Sequence, residues 1–296
     1  MGTNQGYVYR HRVASADSGK DVLAMHVERF EHSDEAGWRR AIGEGRVRVN
    51  GRVAAAEERL RAGDELEFHR APWSEPEAPL TFVVAYEDEQ VLVVDKPAGL
   101  QVLPAGLFHE HTLMRLVQRS APERADSAPV HRLGRGTSGL MLFGKTSAAR
   151  AELSRQLREF VALKTYFGRV VGTELPRSAI ARQPIGRVPV GNWQTFAVAE
   201  GGLPSVTRVR VLVRDLATGT TLVAAQPITG RANQIRIHLA ALGAPLVGDP
   251  LFAPGGGLKS TARSAEGGYL LHAASLGFTH PTTGRWIKLR SRPAWL

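Results

Sequence analysis

Residues 227–249 read PITGRANQIRIHLAALGAPLVGD; they follow a short apolar run and contain a helical pattern. The run before them, Leu222–Ala225, is apolar and four residues long, which favours a strand. Gln234–Leu242 repeats apolar side chains at three- and four-residue steps, which predicts a helix. Arg231 and Asn233 therefore lie between a predicted strand and a predicted helix, and Gln234 is the first residue of that helix.

Short apolar runs dominate the chain after residue 80. Most of them are rich in β-branched residues, which is typical of strands. The predicted strands are 82–84, 91–94, 140–143, 165–171, 206–213, 222–225 and 286–289. Helical patterns are fewer, and the clearest are Ser147–Phe160 and Gln234–Leu242. This balance predicts an α+β, sheet-dominated fold without a regular β-α-β alternation.

The first 70 residues have a pattern of their own. Apolar residues recur at three- and four-residue steps over 17–42, which predicts two short helices. Val47–Val49, the turn dipeptide Asn50-Gly51 and the alternation over 64–68 then predict a hairpin. The expected order is helix, helix, hairpin.

A proline-rich stretch follows this pattern. Residues 71–80, APWSEPEAPL, contain three prolines and no periodicity, which predicts a linker. The predicted organisation is therefore a small domain over 1–70, a linker over 71–80 and a larger catalytic domain over 81–296.

The composition limits the chemistry. The 296 residues include no cysteine, which excludes disulfide scaffolds, thiol catalysis, cysteine-bound zinc and iron–sulfur clusters. A net charge of +10 favours a polyanionic partner. No apolar run approaches the roughly 20 residues that cross a bilayer, and the first residues lack the apolar stretch of a secretory signal. We expect a cytoplasmic protein with no membrane partner.

Arginines are dense in the first domain, over residues 39–61. Their guanidinium groups could contact several RNA phosphates, and Arg46 and Arg48 are the predicted RNA-binding residues. A solvated face with alternating charge is the structural alternative. WRRAIGEGRVRVNG at 38–51, followed by AGDEL at 62–66, resembles a small RNA-binding domain shared by a ribosomal protein and several RNA-modifying enzymes.

Two motifs do not fit their usual chemistry. Gly134–Gly139 matches G-x-G-x-x-G, but a dinucleotide-binding loop must open a helix, and Leu140–Phe143 is a predicted strand. The glycines are therefore predicted to form a tight turn. His109-Glu110-His111 lacks a third ligand nearby and predicts an exposed loop. We expect neither a metal nor a small-molecule cofactor.

Several separate segments combine cations with an aromatic residue or an amide. In one pocket, guanidinium groups would bind phosphates, a ring would stack on a base and an amide would bind the edge of the base. Taken singly, each segment could be an ordinary surface strand end. The segments are PVHRL at 129–133, ALKTY at 162–166, PITGRANQIRIH at 227–238 and LHA at 271–273.

The order of these segments resembles that of the RluA-like pseudouridine synthases from about residue 80 to the end of the chain. The similar stretches are YEDE…VVDKPAG at 86–99, HRLGRGTSGL at 131–140, LKTY at 163–166, residues 227–249, and GYLLHAASLGFTHP at 268–281. The resemblance implies isomerisation of a uridine within ribosomal or transfer RNA. The bond from ribose C1′ to uracil N1 breaks, the base turns, and a bond to C5 forms without a cofactor.

The resemblance also implies roles for single residues. Arg132 would assist flipping of the uridine, Tyr166 would stack on the flipped uracil, and Arg236 would form an ion pair with the catalytic carboxylate. The RNA-binding cleft would be completed by His131, Arg135, Lys164, Arg231, Asn233, Gln234 and His238. Nothing here requires an oligomer, so the expected state is a monomer.

The chain departs from the family pattern at Gly134. The pattern reads H-R-L-D, and its aspartate is the residue on which the chemistry depends, whereas glycine can be neither nucleophile nor base. Asn233 also replaces the histidine of the T-G-R-x-H-Q block, a milder change because an amide can still form hydrogen bonds.

Three explanations of Gly134 stay open at this point. Another carboxylate, from Asp95, Asp126 or Asp249, could enter the cleft of an active enzyme. The protein could instead bind RNA without catalysis, as a chaperone or ribosome-assembly factor, with Arg236 facing no anion. Position 134 could also be engineered or mis-sequenced. We expect a pseudouridine synthase, with the RNA-binding homologue as the alternative.

Overall fold

The computed structural model describes residues 3–30, 33–159, 161–191, 193–262 and 267–296. Contacts divide the chain into two compact units, Met1–Glu75 (unit 1) and Pro76–Leu296 (unit 2). The division falls within residues 71–80, the stretch predicted to be a linker. Each unit has an apolar core of its own. None of the helices in the described ranges is long and apolar enough to span a bilayer.

Unit 1 combines two helices with a four-stranded antiparallel sheet of order β1-β4-β2-β3. Asp21 and Asp34 cap the two helices, because their carboxylates accept hydrogen bonds from the amides of Ala24 and Gly37. The elements are β1 Tyr7–Arg12, α1 Val22–Arg29, α2 Glu35–Gly43, β2 Val47–Val49, β3 Arg52–Val53 and β4 Glu65–Arg70.

The predicted order of unit 1 was incomplete. Helix, helix and hairpin are present, but β1 precedes them and pairs with the distant β4. Tyr7–Arg12 mixes aromatic and basic residues without a clear apolar alternation, so only the long-range pairing reveals the strand. The predicted turn is present: Asn50 and Gly51 both have positive φ, 50° and 79°, as a tight two-residue hairpin turn requires.

Unit 2 is built on a sheet that has ten strands in the described part of the chain, in the order β10-β13-β14-β9-β15-β8-β6-β5, with β16 beside β15 and β7 beside β8. β15 and β8 are parallel. The strands of this sheet are β5 Val83–Glu87, β6 Val91–Lys96, β7 Ala128–Pro129, β8 Ser138–Gly144, β9 Leu163–Val171, β10 Ser178–Ala181, β13 Thr207–Asp215, β14 Thr220–Pro227, β15 Leu271–Thr279 and β16 Trp286–Arg290. A separate two-stranded hairpin consists of β11 Ile185–Val190 and β12 Trp193–Val198. The helices are α3 Leu113–Ser120, α4 Ser147–Arg158 and α5 Gln234–Ala241.

Part of this sheet is covered on both faces. Along β6, Leu92 and Val94 belong to one apolar core, whereas Val91 and Val93 belong to another. α5 packs with the first core through Ile235 and Leu239. Burial on both faces explains why the predicted strand at 91–94 is a continuous apolar run.

The sheet-dominated α+β class is confirmed. Every strand predicted after residue 80 is present, and Leu140–Phe143 lies within β8 rather than in a helix. The predicted helix Ser147–Phe160 is observed over Ser147–Arg158, and Phe160 lies outside the described residues. The eight-residue α3 and the hairpin β11–β12 were not predicted, because short elements carry little periodic signal.

Candidate active site

A single pocket in unit 2 collects residues from several of the predicted segments. It is lined by the loop before β8, by β9, by the end of β14 and by the start of α5. Its volume is about 1150 Å³, above the usual range of roughly 300–1000 Å³ for small-molecule pockets. It can therefore accept a nucleotide with its flanking phosphates.

Tyr166 and Lys164 point to the same side of β9, because they are two residues apart on a strand. Both line the pocket. Burial raises the pKa of the Tyr166 phenol, so this ring stays protonated and uncharged. Burial lowers the pKa of the Lys164 ammonium, because the charged form loses its water. A neutral ring and a partly desolvated cation thus lie side by side.

The loop before β8 brings His131, Arg132 and Gly134 to the pocket. His131 accepts a hydrogen bond at Nε2 from the amide of Leu142, 3.1 Å away. Its buried Nδ1 has no hydrogen-bond partner among the described residues. Burial, with a smaller effect of Lys164, lowers the pKa of His131 to about 3, so the imidazole is neutral near pH 7.

The glycines of this loop have a packing role. A Cβ on Gly134 would lie 2.5 Å from the Tyr269 hydroxyl oxygen, and one on Gly136 would lie 2.8 Å from the Tyr269 ring. A Cβ on Gly139 would lie 2.5 Å from the backbone oxygen of Ala273 on β15. The G-x-G-x-x-G match therefore arises from a cradle for Tyr269 and a close approach of β8 to β15, not from a nucleotide-binding turn.

Arg236 on α5 has an acidic partner that sequence reasoning did not assign to it. Its Nε and Nη2 donate hydrogen bonds of 2.8 Å to the two carboxylate oxygens of Asp249. Its Nη1 also donates to the Asn233 side-chain oxygen at 3.2 Å. The alternative of RNA binding without catalysis predicted that Arg236 would face no anion, and that prediction is wrong.

The side chains of Gln234 and His238 form hydrogen bonds within the protein. The Gln234 amide donates to the Val206 carbonyl oxygen and to Thr207, and its oxygen accepts from Thr229. His238 is fully buried and bonds through its two ring nitrogens to Thr207 and to the Gln183 carbonyl oxygen. His238 does not line the pocket. Its assignment to RNA binding is corrected, because an inward-facing position on α5 leaves no nitrogen for RNA.

The pocket lining is cationic. Arg132, Arg158 and Lys164 line it without an ion pair to any described residue, and among these residues the Arg231 guanidinium donates only to the Pro204 carbonyl oxygen. Among the described residues that line the pocket, none is aspartate or glutamate. This charge balance suits the phosphates of a nucleic acid.

The three carboxylates suggested as substitutes for the missing aspartate lie elsewhere. Asp249 is held by Arg236 and by the amides of Leu251 and Phe252. Asp95 accepts a hydrogen bond from the Ser291 hydroxyl, and Asp126 is exposed. None of the three lines the pocket.

The remaining predicted residues are divided between the units. Arg231 and Asn233 line the pocket, but Arg135 does not; its guanidinium lies 5.2 Å from the centre of the Phe108 ring. Arg46 and Arg48 belong to unit 1. Arg46 forms an ion pair of 2.6 Å with Glu44, so RNA phosphate would have to displace a carboxylate there.

Sequence reasoning missed several residues of the pocket. Tyr269 was quoted within a similar segment but given no role, and Arg158 was seen only as part of a helix. Trp193 and Phe196 reach the pocket from β12. The exposed arginine at the end of α4 was a usable signal, whereas nothing local marks Tyr269 as a partner of the glycine loop.

Comparison with known proteins identifies this architecture. Residues 90–241 match the RNA pseudouridylate synthase family model. The chain belongs to this family, among its RluA-like members. Its activity class is therefore that of an isomerase acting on RNA.

Relatives in several organisms agree with this assignment. An uncharacterised RNA pseudouridine synthase of Synechocystis is 40% identical over 90% of this chain and 92% of its own length. RNA pseudouridine synthase 5 of Oryza sativa is 35% identical over 97% of this chain and 86% of its own length. The dual-specificity RNA pseudouridine synthase RluA of Escherichia coli O157:H7 is 37% identical over 74% of this chain and 96% of its own length.

A solved structure is also similar. Human RNA pseudouridylate synthase domain-containing protein 1 superposes with a TM-score of 0.60 at 25% identity, covering 75% of this chain and 88% of its own. This likeness agrees with the sheet-dominated fold described above.

Proposed function

We propose that the pocket of unit 2 takes one uridine flipped out of a structured RNA and isomerises it to pseudouridine. The observation that carries the proposal is the convergence of Tyr166, Arg132, Lys164 and Arg236 on one cationic pocket from separate parts of the chain. A nucleobase needs a ring to stack on, and its phosphates need cations, and this lining provides both.

Each cation is suited to a different task. Arg132 is exposed at the pocket edge, where it can enter the gap that a flipped base leaves in a helix. Lys164 and Arg231 have no carboxylate partner in the described part of the chain and would bind phosphates beside the uridine. Arg236 is already paired with Asp249, so it would support the pocket wall more than bind phosphate.

Structured ribosomal or transfer RNA is the substrate class we propose. Support comes from two relatives, one named as a ribosomal large-subunit pseudouridine synthase in Neisseria meningitidis and one named as dual-specificity in Escherichia coli. The arginines of unit 1 would extend the RNA contact. The proposed assembly is one chain on one RNA.

A second candidate function is RNA binding without isomerisation. It is favoured by the lack of an acidic side chain among the described residues of the pocket lining. A chain with intact base and phosphate contacts but no reacting group would act as an RNA chaperone or assembly factor.

One experiment separates the two candidates. Purified protein is incubated with total RNA that lacks pseudouridine, and products are mapped by chemical derivatisation, because isomerisation leaves the mass unchanged. We expect modification at one or a few defined uridines. Tight, saturable RNA binding without modification at any uridine would favour the second candidate.

A further inference from the structure

The reaction needs a group beside the uridine that can bond to carbon and carry a proton, and Gly134 has no side chain. We propose that the Tyr269 phenol is this group, as a catalytic residue that contacts ribose C1′ of the flipped uridine. This inference rests on the proposed function, since it names the reacting group of the same pocket.

The position of Tyr269 is the first argument. Its hydroxyl oxygen lies 2.5 Å from the position that a Cβ on Gly134 would take. The hydroxyl therefore occupies the space in which a side chain at position 134 would begin. Tyr269 lines the pocket together with Tyr166 and Arg132. The phenol therefore enters the pocket at the place where the family pattern has its aspartate.

The fit of Tyr269 is the second argument. The ring packs on Gly136, its centre lies 4.2 Å from the Arg236 guanidinium carbon, and its hydroxyl lies 3.2 Å from the Thr137 hydroxyl. Only 3% of the residue is exposed. A chance change to glycine would leave a gap at position 134, whereas here the gap is filled by an oriented phenol.

The charge around the phenol is the third argument. Arg132 and Lys164 line the same pocket without acidic partners among the residues that the structure describes. Positive charge in a partly desolvated site stabilises negative charge that develops on an oxygen during reaction. The pocket therefore favours a phenol that gives up its proton as it reacts.

The proposed steps balance without another reactant. The phenolic oxygen forms a bond to C1′ while the C1′–N1 bond breaks, and the phenolic proton passes to N1 of the departing uracil. The uracil turns within the pocket, and C5 then bonds to C1′ as the C1′–oxygen bond breaks. The proton on C5 returns to the phenolic oxygen. The net result moves the attachment from N1 to C5 and restores Tyr269.

Tyr269→Phe is the central test, because it removes the reacting oxygen and keeps the ring that packs on Gly136 and Arg236. Tyr86→Phe is the matched control, since the Tyr86 hydroxyl bonds to Asp88 and Tyr86 does not line the pocket. Glu266 lies outside the described residues, and Glu266→Gln is made in parallel to test this carboxylate as the reacting group in place of Tyr269. Single-turnover pseudouridine formation, RNA affinity and thermal unfolding are measured for each variant.

We expect Tyr269→Phe to slow the single-turnover rate by roughly 100-fold or more with RNA affinity unchanged, while Tyr86→Phe and Glu266→Gln keep the parental rate. A Tyr269→Phe rate close to that of the parent overturns the inference and leaves the proposed function intact. If the parent protein binds RNA but forms no pseudouridine, the proposed isomerisation fails, and the inference fails with it.

Discussion

Arg236 and Asp249 form a two-bond ion pair in which both side chains are almost completely buried, 2% and 1% exposed. The pair joins the start of α5 to the segment after it. It balances the charge of an arginine that the resemblance would have paired with an acid at position 134. The cleft therefore keeps its buried arginine without that acid.

Breaking this pair should be costly. Asp249→Asn keeps the size of the side chain but leaves a buried guanidinium without an anion, so we expect unfolding free energy to fall by about 3–5 kcal/mol. Replacing both partners with apolar residues of similar volume should cost less, because no buried charge then remains. Denaturant unfolding of the three proteins measures the difference, and equal losses would contradict the account.

Gly134 and Tyr269 should behave as a coupled pair in stability. Gly134→Ala places a Cβ against the Tyr269 hydroxyl, so we expect a loss of about 1–3 kcal/mol from overpacking. In the Tyr269→Phe background the nearest ring carbon is 3.9 Å from that Cβ, and the same change should cost little. A double-mutant cycle by chemical denaturation measures the coupling, and additive effects would rule it out.

The pair also constrains any attempt to restore the aspartate. Gly134→Asp alone meets the Tyr269 hydroxyl, so we expect no gain in pseudouridine formation from this single change. Gly134→Asp with Tyr269→Phe provides the space and should form more product than either single variant. Rates of product formation on one RNA compare the three proteins, and a gain from Gly134→Asp alone would show that Tyr269 moves aside.

His131 should make the protein less stable in acid. Its pKa is about 3 in the folded protein, against an ordinary value of 6.5. As the pH falls from 6.5 towards 3, the unfolded chain takes up a proton that the folded protein does not, and the difference costs about 1.4 kcal/mol per pH unit. Above pH 6.5 neither state is protonated at this residue, so the effect is absent there.

His131→Gln tests this titration, because the glutamine oxygen can still accept the Leu142 amide. Two buried histidines, His238 and His272, also have lowered pKa values, so the comparison is the difference between parent and variant across the pH range. We expect the parent to lose more stability than the variant below pH 6.5. Parallel curves would show that the pKa of His131 is the same in the folded and the unfolded protein.

Lys164 should contribute to RNA binding through phosphate. Lys164→Ala is expected to weaken binding and to reduce the slope of log affinity against log salt by about 0.7–0.9, the effect of losing one phosphate contact. Lys288→Ala on β16 removes the same charge from an exposed position outside the pocket and should leave the slope nearly unchanged. Equal changes in both variants would indicate a general charge effect.

Unit 1 should add RNA affinity without being needed for the folding of unit 2. Residues 76–296 contain complete apolar cores of their own, so we expect the chain without residues 1–75 to fold cooperatively. Its affinity for structured RNA should fall because the arginines of unit 1 are lost. Thermal unfolding and RNA titration of the full chain and of residues 76–296 test this prediction. Aggregation of the shorter chain would show that the domain boundary lies elsewhere.

Local patterns predicted the elements well where they were long and apolar. β6 and β8 contain the continuous apolar runs at 91–94 and 140–143, and α5 follows the helical spacing of residues 234–242. β1 and the hairpin β11–β12 were missed, because their residues are mixed in polarity and their pairing, not their composition, makes them strands.

The sequence predicted the kinds of residue in the site better than it predicted which of them lie in the pocket. Tyr166, Arg132 and Lys164 do meet in one pocket, but His238, two residues from Arg236, turns inward to Thr207 and Gln183. A helix places its side chains around a full circle, so the packing of α5 decides which of them face the cleft.

Sequence by itself determined the sheet-rich fold, the positive charge and the absence of a side chain at position 134, since these follow from residue type and spacing. Tertiary structure alone decided that Tyr269 fills the space at Gly134 and that Asp249 neutralises Arg236. The first contact joins two loops and the second joins α5 to the segment after it, and the positions of these segments are set by strand register and by the packing of α5. A local sequence pattern cannot show which distant side chains will be buried together, because only the folded chain brings them into contact.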